Sequence, residues 1–249
     1  MDVNFNLALQ HVERSAAAYS TADQIQAQFG QGATLSIKEL SEIDVLTFVE
    51  RHDDQKLQWV AVRGTANFEN ARLDADYTKE VHTEVGVPLH KGFWESSDAV
   101  YNVIRPLLNN DYQTRVTGHS LGGAIATILM MRFHNEGLSL DQCVTFGQPK
   151  VTDEKGVERY RELPLLRIVN NEDPVPLVPP LTLISAIHGA YRHFGPEVLL
   201  EKDSTYKYFP EHQAERFDVT SFWTHLGRED VEDHHVARYV ANVQQQCKP

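Results

Sequence analysis

A chain of 249 residues with 41% hydrophobic content can bury one sizeable core, and three-layer α/β domains of this size commonly stay undivided. A formal charge of −12 at pH 7 excludes nucleic acid or an anionic membrane as a partner held by electrostatics, since both carry the same sign. Two cysteines, Cys143 and Cys247, are too few for a disulfide framework and read as free thiols.

Taken in order, Leu9, Val12, Ala16 and Tyr19 recur at helical spacing and predict an opening helix over 7–19 that packs on a sheet. Ser20-Thr21-Ala22-Asp23 breaks it before a second short helix. Residues 44–51 and 56–63 are β-rich and flank a polar turn, which predicts a hairpin of adjacent strands. Residues 88–93 read as a loop leading into a helix from about Trp94 to Leu108, with Ala99, Val100, Val103, Ile104 and Leu107 on its apolar face.

Residues 114–124 are the centre of the pattern: a β-prone run, then Gly118-His119-Ser120-Leu121-Gly122, then an unbroken apolar segment from Ala124 to Met131. This reads as strand, sharp turn and buried helix. A serine hydroxyl is a poor nucleophile, so it must stand clear of a sheet, near a base, with backbone N–H groups ready for the oxyanion it creates. A strained turn flanked by glycines meets that need. The bare Gly-x-Ser-x-Gly pattern arises by chance in roughly one protein of this length in ten, so the strand before it and the helix after it carry the argument.

Residues 142–146 and 165–169 are short and apolar, as interior strands of a parallel sheet should be. Strands alternating with helices predict an α/β fold with a mostly parallel central sheet and helices on both faces, forming a single domain over 1–249. In such sheets the working loops lie at the C-terminal ends of strands, where Ser120 falls.

A serine nucleophile needs a base, and the base needs a carboxylate to orient it. Asp173 stands just past the 165–169 strand in a turn stiffened by Pro174 and Pro176, with Glu172 as its immediate rival. The base falls within 229–240, where a helix begins near His234 with Val236, Val240 and Val243 as its apolar face; both His234 and His235 are candidates. The order Ser120, Asp173, His234 is that of α/β-hydrolases. His119 is fixed beside the nucleophile, and His134, His188, His212 and His225 read as surface or core-edge residues. A metal site at Asp233-His234-His235 is disfavoured, because neighbouring ligands on one turn diverge and no further ligand pair accompanies them. The chemistry calls for no cofactor.

These residues resemble the class 3 lipases, the fungal-lipase-like group of α/β-hydrolases. The resemblance runs from about Val60 to Val240: Ala61-Val62-Arg63-Gly64-Thr65, His90-Lys91-Gly92-Phe93, the Gly118–Gly123 turn, Thr145-Phe146-Gly147-Gln148-Pro149, residues 167–176 and Tyr191-Arg192-His193-Phe194-Gly195 follow in the family's order. It implies Ser120 as nucleophile, Asp173 as orienting carboxylate and a histidine of Asp233-His234-His235 as base. Bacterial members commonly carry a tyrosine five residues past the histidine; Tyr239 stands five past His234, while other branches place an aromatic closer and keep His235 open.

The resemblance further implies that Thr65 and Leu121 supply the oxyanion-hole N–H groups, and that a lid covers about 66–79. Of that segment only Phe68, Leu73 and Tyr77 are large and apolar, a sparse face for a lid that opens onto lipid. The expected activity is hydrolysis of a carboxylic ester, foremost by a triacylglycerol lipase or esterase, with a phospholipase A1, a feruloyl-type esterase or a non-catalytic binding scaffold as alternatives. The expected partner is an ester or lipid substrate met at most by transient contact with a lipid interface; oligomeric state is left open. No window spans a bilayer and no signal peptide is visible, so the chain reads as soluble, either cytoplasmic or secreted after loss of a signal. Apart from residues 191–195, the segment 181–227 matches no pattern, and its aromatics Tyr206, Tyr208, Phe209, Phe217, Phe222 and Trp223 suit either a substrate pocket or the back of the sheet.

Overall fold

Strands that are apolar on both faces must be covered on both, and this requirement sets the architecture. The computed structural model describes residues 3–64, 78–171, 173–178, 190–210 and 232–247. An eight-stranded sheet runs in the order β1 (Thr34–Leu40), β2 (Val45–His52), β3 (Leu57–Val62), β6 (Gln113–His119), β7 (Leu140–Phe146), β8 (Leu165–Asn170), β9 (Glu197–Leu200) and β10 (Tyr206–Phe209). The strands from β3 to β9 in that order pair in parallel, whereas β1, β2 and β3 pair antiparallel at one edge and β9 with β10 at the other. β4 (Lys79–Val81) and β5 (Pro88–His90) form a separate two-stranded ribbon.

Side chains alternate across β7: Cys143 faces the layer of α3 (Lys91–Ile104) and α4 (Leu121–Asn135), while Val144 and Phe146 face that of α1 (Phe5–Ala17) and α6 (Val236–Gln246). All residues of α4 from Leu121 to Phe133 are buried, so it is a core helix between the sheet and α3. Each fully buried Ile, Leu or Met there contributes about 1.5–3 kcal/mol of transfer free energy. This is the mostly parallel sheet covered on both faces that the alternation of elements implies, in the α/β-hydrolase arrangement that the resemblance implies. Both cysteines are free thiols, and among the described residues no helix is long and apolar enough to cross a membrane.

Several elements differ from the sequence expectation. The buried residues of α1 are Phe5, Ala8, His11, Val12, Arg14, Ser15 and Ala17, whereas Leu9, Ala16 and Tyr19 are only half-buried. Polar partners make that possible: Ser15 Oγ lies 2.8 Å from Thr117 Oγ1, and the Arg14 guanidinium donates twice to the buried Glu50 carboxylate. The second helix, α2 (Ala22–Phe29), is capped by Thr21 with a reciprocal bond from Gln24. Residues 88–90 form β5 rather than a loop, and α3 starts at Lys91 on a His90 cap. That helix stops at Ile104 because Pro106, which lacks an N–H, sits in the 3-10 turn Arg105–Leu107 that follows. A 3-10 turn, Glu232–His234, precedes α6, which buries Tyr239 and Val243 and leaves Val236 and Val240 half-buried. β1, β9 and β10 had no expectation. Tyr206 packs edge-on against Phe5, and Phe209 packs with Val169 and Leu199, so both cover the edge of the sheet. α5 (Glu154–Tyr160) closes the set.

Candidate active site

Ser120 occupies the single residue between β6 and α4, with φ 58° and ψ −130°, a backbone conformation that costs about 1–3 kcal/mol in a non-glycine residue. The surrounding packing holds it there. The Ser120 N–H donates to the Phe146 carbonyl at 2.9 Å, and Gly122 lies so close to β3 that a Cβ on it would stand 2.2 Å from the Val62 carbonyl oxygen. The turn is therefore wedged between β3 and β7, with the hydroxyl at the C-terminal end of β6.

Asp173 follows β8. Its N–H donates to the Asn170 carbonyl at 3.1 Å, and its Oδ1 accepts the Val175 N–H at 2.8 Å, a local turn that Pro174 and Pro176 stiffen. Its other oxygen, Oδ2, faces two donors: His234 Nδ1 at 2.8 Å and the Tyr239 hydroxyl at 2.5 Å. Glu172 lies outside the described residues.

His234 ends the 3-10 turn before α6, and its Nε2 lies 2.9 Å from Ser120 Oγ. A carboxylate only accepts, so Nδ1 carries the proton toward Asp173 and Nε2 presents its lone pair to the serine hydroxyl. The structure thus brings Ser120, His234 and Asp173 into one line. His235 is exposed at the N-terminal cap of α6 and makes no capping bond.

Two bonds pin the main chain that carries His234. Its carbonyl accepts from His119 Nε2 at 2.6 Å, and the carbonyl of Asp233 accepts from Asn170 Nδ2 at 2.8 Å. Burial, and secondarily the His234 ring, hold the His119 imidazole well below its ordinary pKa, so it is neutral. Burial and then the Asp173 charge push the Tyr239 phenol well above its usual value, so it remains a donor. Sequence reasoning used Tyr239 only as a spacing marker and missed Asn170, whose sole signal is a polar residue ending an apolar strand.

Leu121 is the first residue of α4, so its N–H has no acceptor within the helix and forms part of the positive end of the helix dipole beside Ser120. Thr65 and residues 66–77 of the expected lid lie outside the described residues; of the 66–79 range only Thr78 and Lys79 are described, and Lys79 begins β4. The residue before Thr65 does reach Ser120: a Cβ on Gly64 would stand 2.7 Å from the His119 carbonyl and 3.1 Å from Ser120 Cβ. His134 is exposed; His188, His212, His225, Phe217, Phe222 and Trp223 lie outside the described residues.

Residues 59–183, about half of the chain, match the family model described as lipase (class 3). The secreted mono- and diacylglycerol lipase 1 of Fusarium solani is 28% identical over 224 residues, which cover 80% of this chain and 63% of that protein. A lipase of Rhizomucor miehei is 30% identical over 174 residues, 65% of this chain and 46% of that protein, so the matched part spans about half to two-thirds of these relatives' length. Among solved structures, the lipase of Rhizopus microsporus var. chinensis superposes with a TM-score of 0.71 at 24% identity, covering 94% of this chain and 87% of that one, a likeness of fold.

Proposed function

The chain belongs to the class 3 lipase family, and from that membership we propose that it is a serine carboxylic-ester hydrolase acting on acylglycerol esters through an acyl-enzyme. The observation that carries the reading is the continuous line of hydrogen bonds from Ser120 Oγ through His234 to Asp173.

In the first half-reaction Ser120 Oγ attacks the ester carbonyl carbon as its proton passes to His234 Nε2. Asp173, bonded to Nδ1–H, stabilises the imidazolium that results. The negative charge that develops on the former carbonyl oxygen falls to the Leu121 N–H and, on the family pattern, to Thr65; one such donor supplies about 2.7–4 kcal/mol of transition-state stabilisation. Collapse of the tetrahedral adduct expels the alcohol, which takes its proton from His234. Water, deprotonated by the same imidazole, then attacks the acyl-serine, and carboxylic acid leaves. Each proton that leaves a nucleophile is returned to a leaving group, so the cycle needs no cofactor.

The relatives' names put mono- and diacylglycerols first among substrates. The few large apolar residues between 66 and 79 favour short or dispersed esters, met by transient contact with a lipid interface. A substrate panel separates this reading from phospholipase A1 and feruloyl-type activity. The direct test is turnover of p-nitrophenyl butyrate by the wild type and by Ser120→Ala, which should fall by roughly 10⁶-fold in kcat, as removal of a triad nucleophile does elsewhere. Unchanged turnover in a folded Ser120→Ala protein would rule Ser120 out.

A further inference from the structure

Tyr19 follows α1 by two residues, and its hydroxyl lies 2.9 Å from His119 Nδ1. The other ring nitrogen of His119 lies 2.6 Å from the His234 carbonyl oxygen. The Gly64 backbone packs against the same hydroxyl, so close that a Cβ on Gly64 would stand 2.9 Å from the Tyr19 oxygen. The polarity of this chain has only one solution. A carbonyl can only accept, so His119 Nε2 holds the proton; Nδ1 must then accept, so the Tyr19 hydroxyl donates to it. Burial keeps the His119 imidazole neutral, which this arrangement requires.

Resting on the serine-hydrolase reading above, we infer that Tyr19 and His119 are positioning residues whose one-way hydrogen-bond chain, from the Tyr19 hydroxyl to the His234 carbonyl, ties the base to the nucleophile's neighbour and to the end of the first helix. His119 adjoins Ser120 in sequence. The middle of the chain is therefore fixed to the nucleophilic turn, and its end holds the main chain from which the His234 ring projects. An offset of about 1 Å at such a centre can cost on the order of 10²-fold in rate, so a bond that fixes the base's backbone acts on kcat rather than on substrate binding. Hydrogen bonds in a buried series also polarise one another, which makes the two side chains act as a unit.

The test is steady-state kinetics on p-nitrophenyl butyrate with the full chain. On the scale of one buried hydrogen bond, His119→Phe should lower kcat about tenfold and Tyr19→Phe about threefold, with KM within about twofold of wild type. His119→Gln, whose amide N–H reaches toward the place of Nε2, should restore kcat to within about threefold of wild type. The Tyr19→Phe/His119→Phe double variant should be no slower than His119→Phe alone. Equal losses in His119→Phe and His119→Gln would show that ring volume matters and donation does not, and would overturn the inference. So would additive losses in the double variant, or wild-type kcat in Tyr19→Phe. That last variant removes one oxygen and decides the matter if His119→Phe does not fold. A wild-type protein without ester turnover would instead sink the parent reading before any variant is compared.

Discussion

The Tyr239 hydroxyl donates to Asp173 Oδ2 at 2.5 Å, the same oxygen that receives His234 Nδ1, and itself accepts the Asn170 N–H at 3.2 Å. A buried phenol thus completes the carboxylate's set of partners from the buried face of α6. Tyr239→Phe leaves the ring in its packing and removes the donor, stranding the Asn170 N–H. We expect a loss of about 1–2 kcal/mol in unfolding free energy and a kcat lower by about three- to tenfold. Urea denaturation and ester kinetics on the same preparation check both.

His234 and His235 should separate cleanly. His234→Ala removes the only imidazole within reach of Ser120 Oγ among the described residues and should reduce kcat on the order of 10⁴–10⁶-fold. His235 is exposed and caps nothing with its side chain, so His235→Ala should stay within about twofold of wild type, as surface changes usually do. The reverse result would transfer the base's role to His235.

Gly147 tests how tightly the triad is enclosed. It holds φ 56°, and a Cβ there would stand 2.6 Å from Asp173 Oδ2 and 3.0 Å from both His234 Nδ1 and Tyr239 Oη. Gly147→Ala should cost at least about 1–3 kcal/mol of stability through backbone strain alone. It should also push the carboxylate off the imidazole, so ester turnover should fall more steeply than stability explains; wild-type turnover at normal stability would contradict the geometry.

Three buried histidines predict acid sensitivity. Burial is the first cause that holds His11, His119 and His193 well below the ordinary histidine value of 6.5, with Arg115 and Arg14 adding at His11, His234 at His119, and Arg167 and Lys150 at His193. The unfolded chain protonates these rings near 6.5 and the folded chain does not, so below that pH the unfolded state binds more protons. Stability is therefore complete above about pH 6.5 and declines as pH falls beneath it. Urea midpoints measured from pH 8 to pH 5 should drop on the acid side; a flat profile would show that the folded state takes up those protons.

The parts of the site that announce themselves in sequence are those whose chemistry demands a local pattern. The Gly118–Gly122 turn is such a case, because a strained nucleophile needs small neighbours at fixed offsets, and so is Asp173 in its proline-stiffened turn. The choice between His234 and His235 is not local. It depends on a 3-10 turn whose orientation is set by His119 and Asn170, residues distant in the chain. The α1 face was misjudged for a related reason: Arg14 and Ser15 are buried because Glu50 and Thr117 await them on the sheet, and periodicity of apolar residues cannot see a polar partner. β1 escaped notice because an edge strand with one open side has no need of apolar alternation.

The central claim, that Ser120 is the activated nucleophile, is tested most directly by treating the native protein with a fluorophosphonate and locating the adduct by peptide mass spectrometry. The account predicts one adduct per chain, on Ser120, with none in His234→Ala over the same exposure. A native, folded protein left unlabelled, or labelled at another residue, would contradict it.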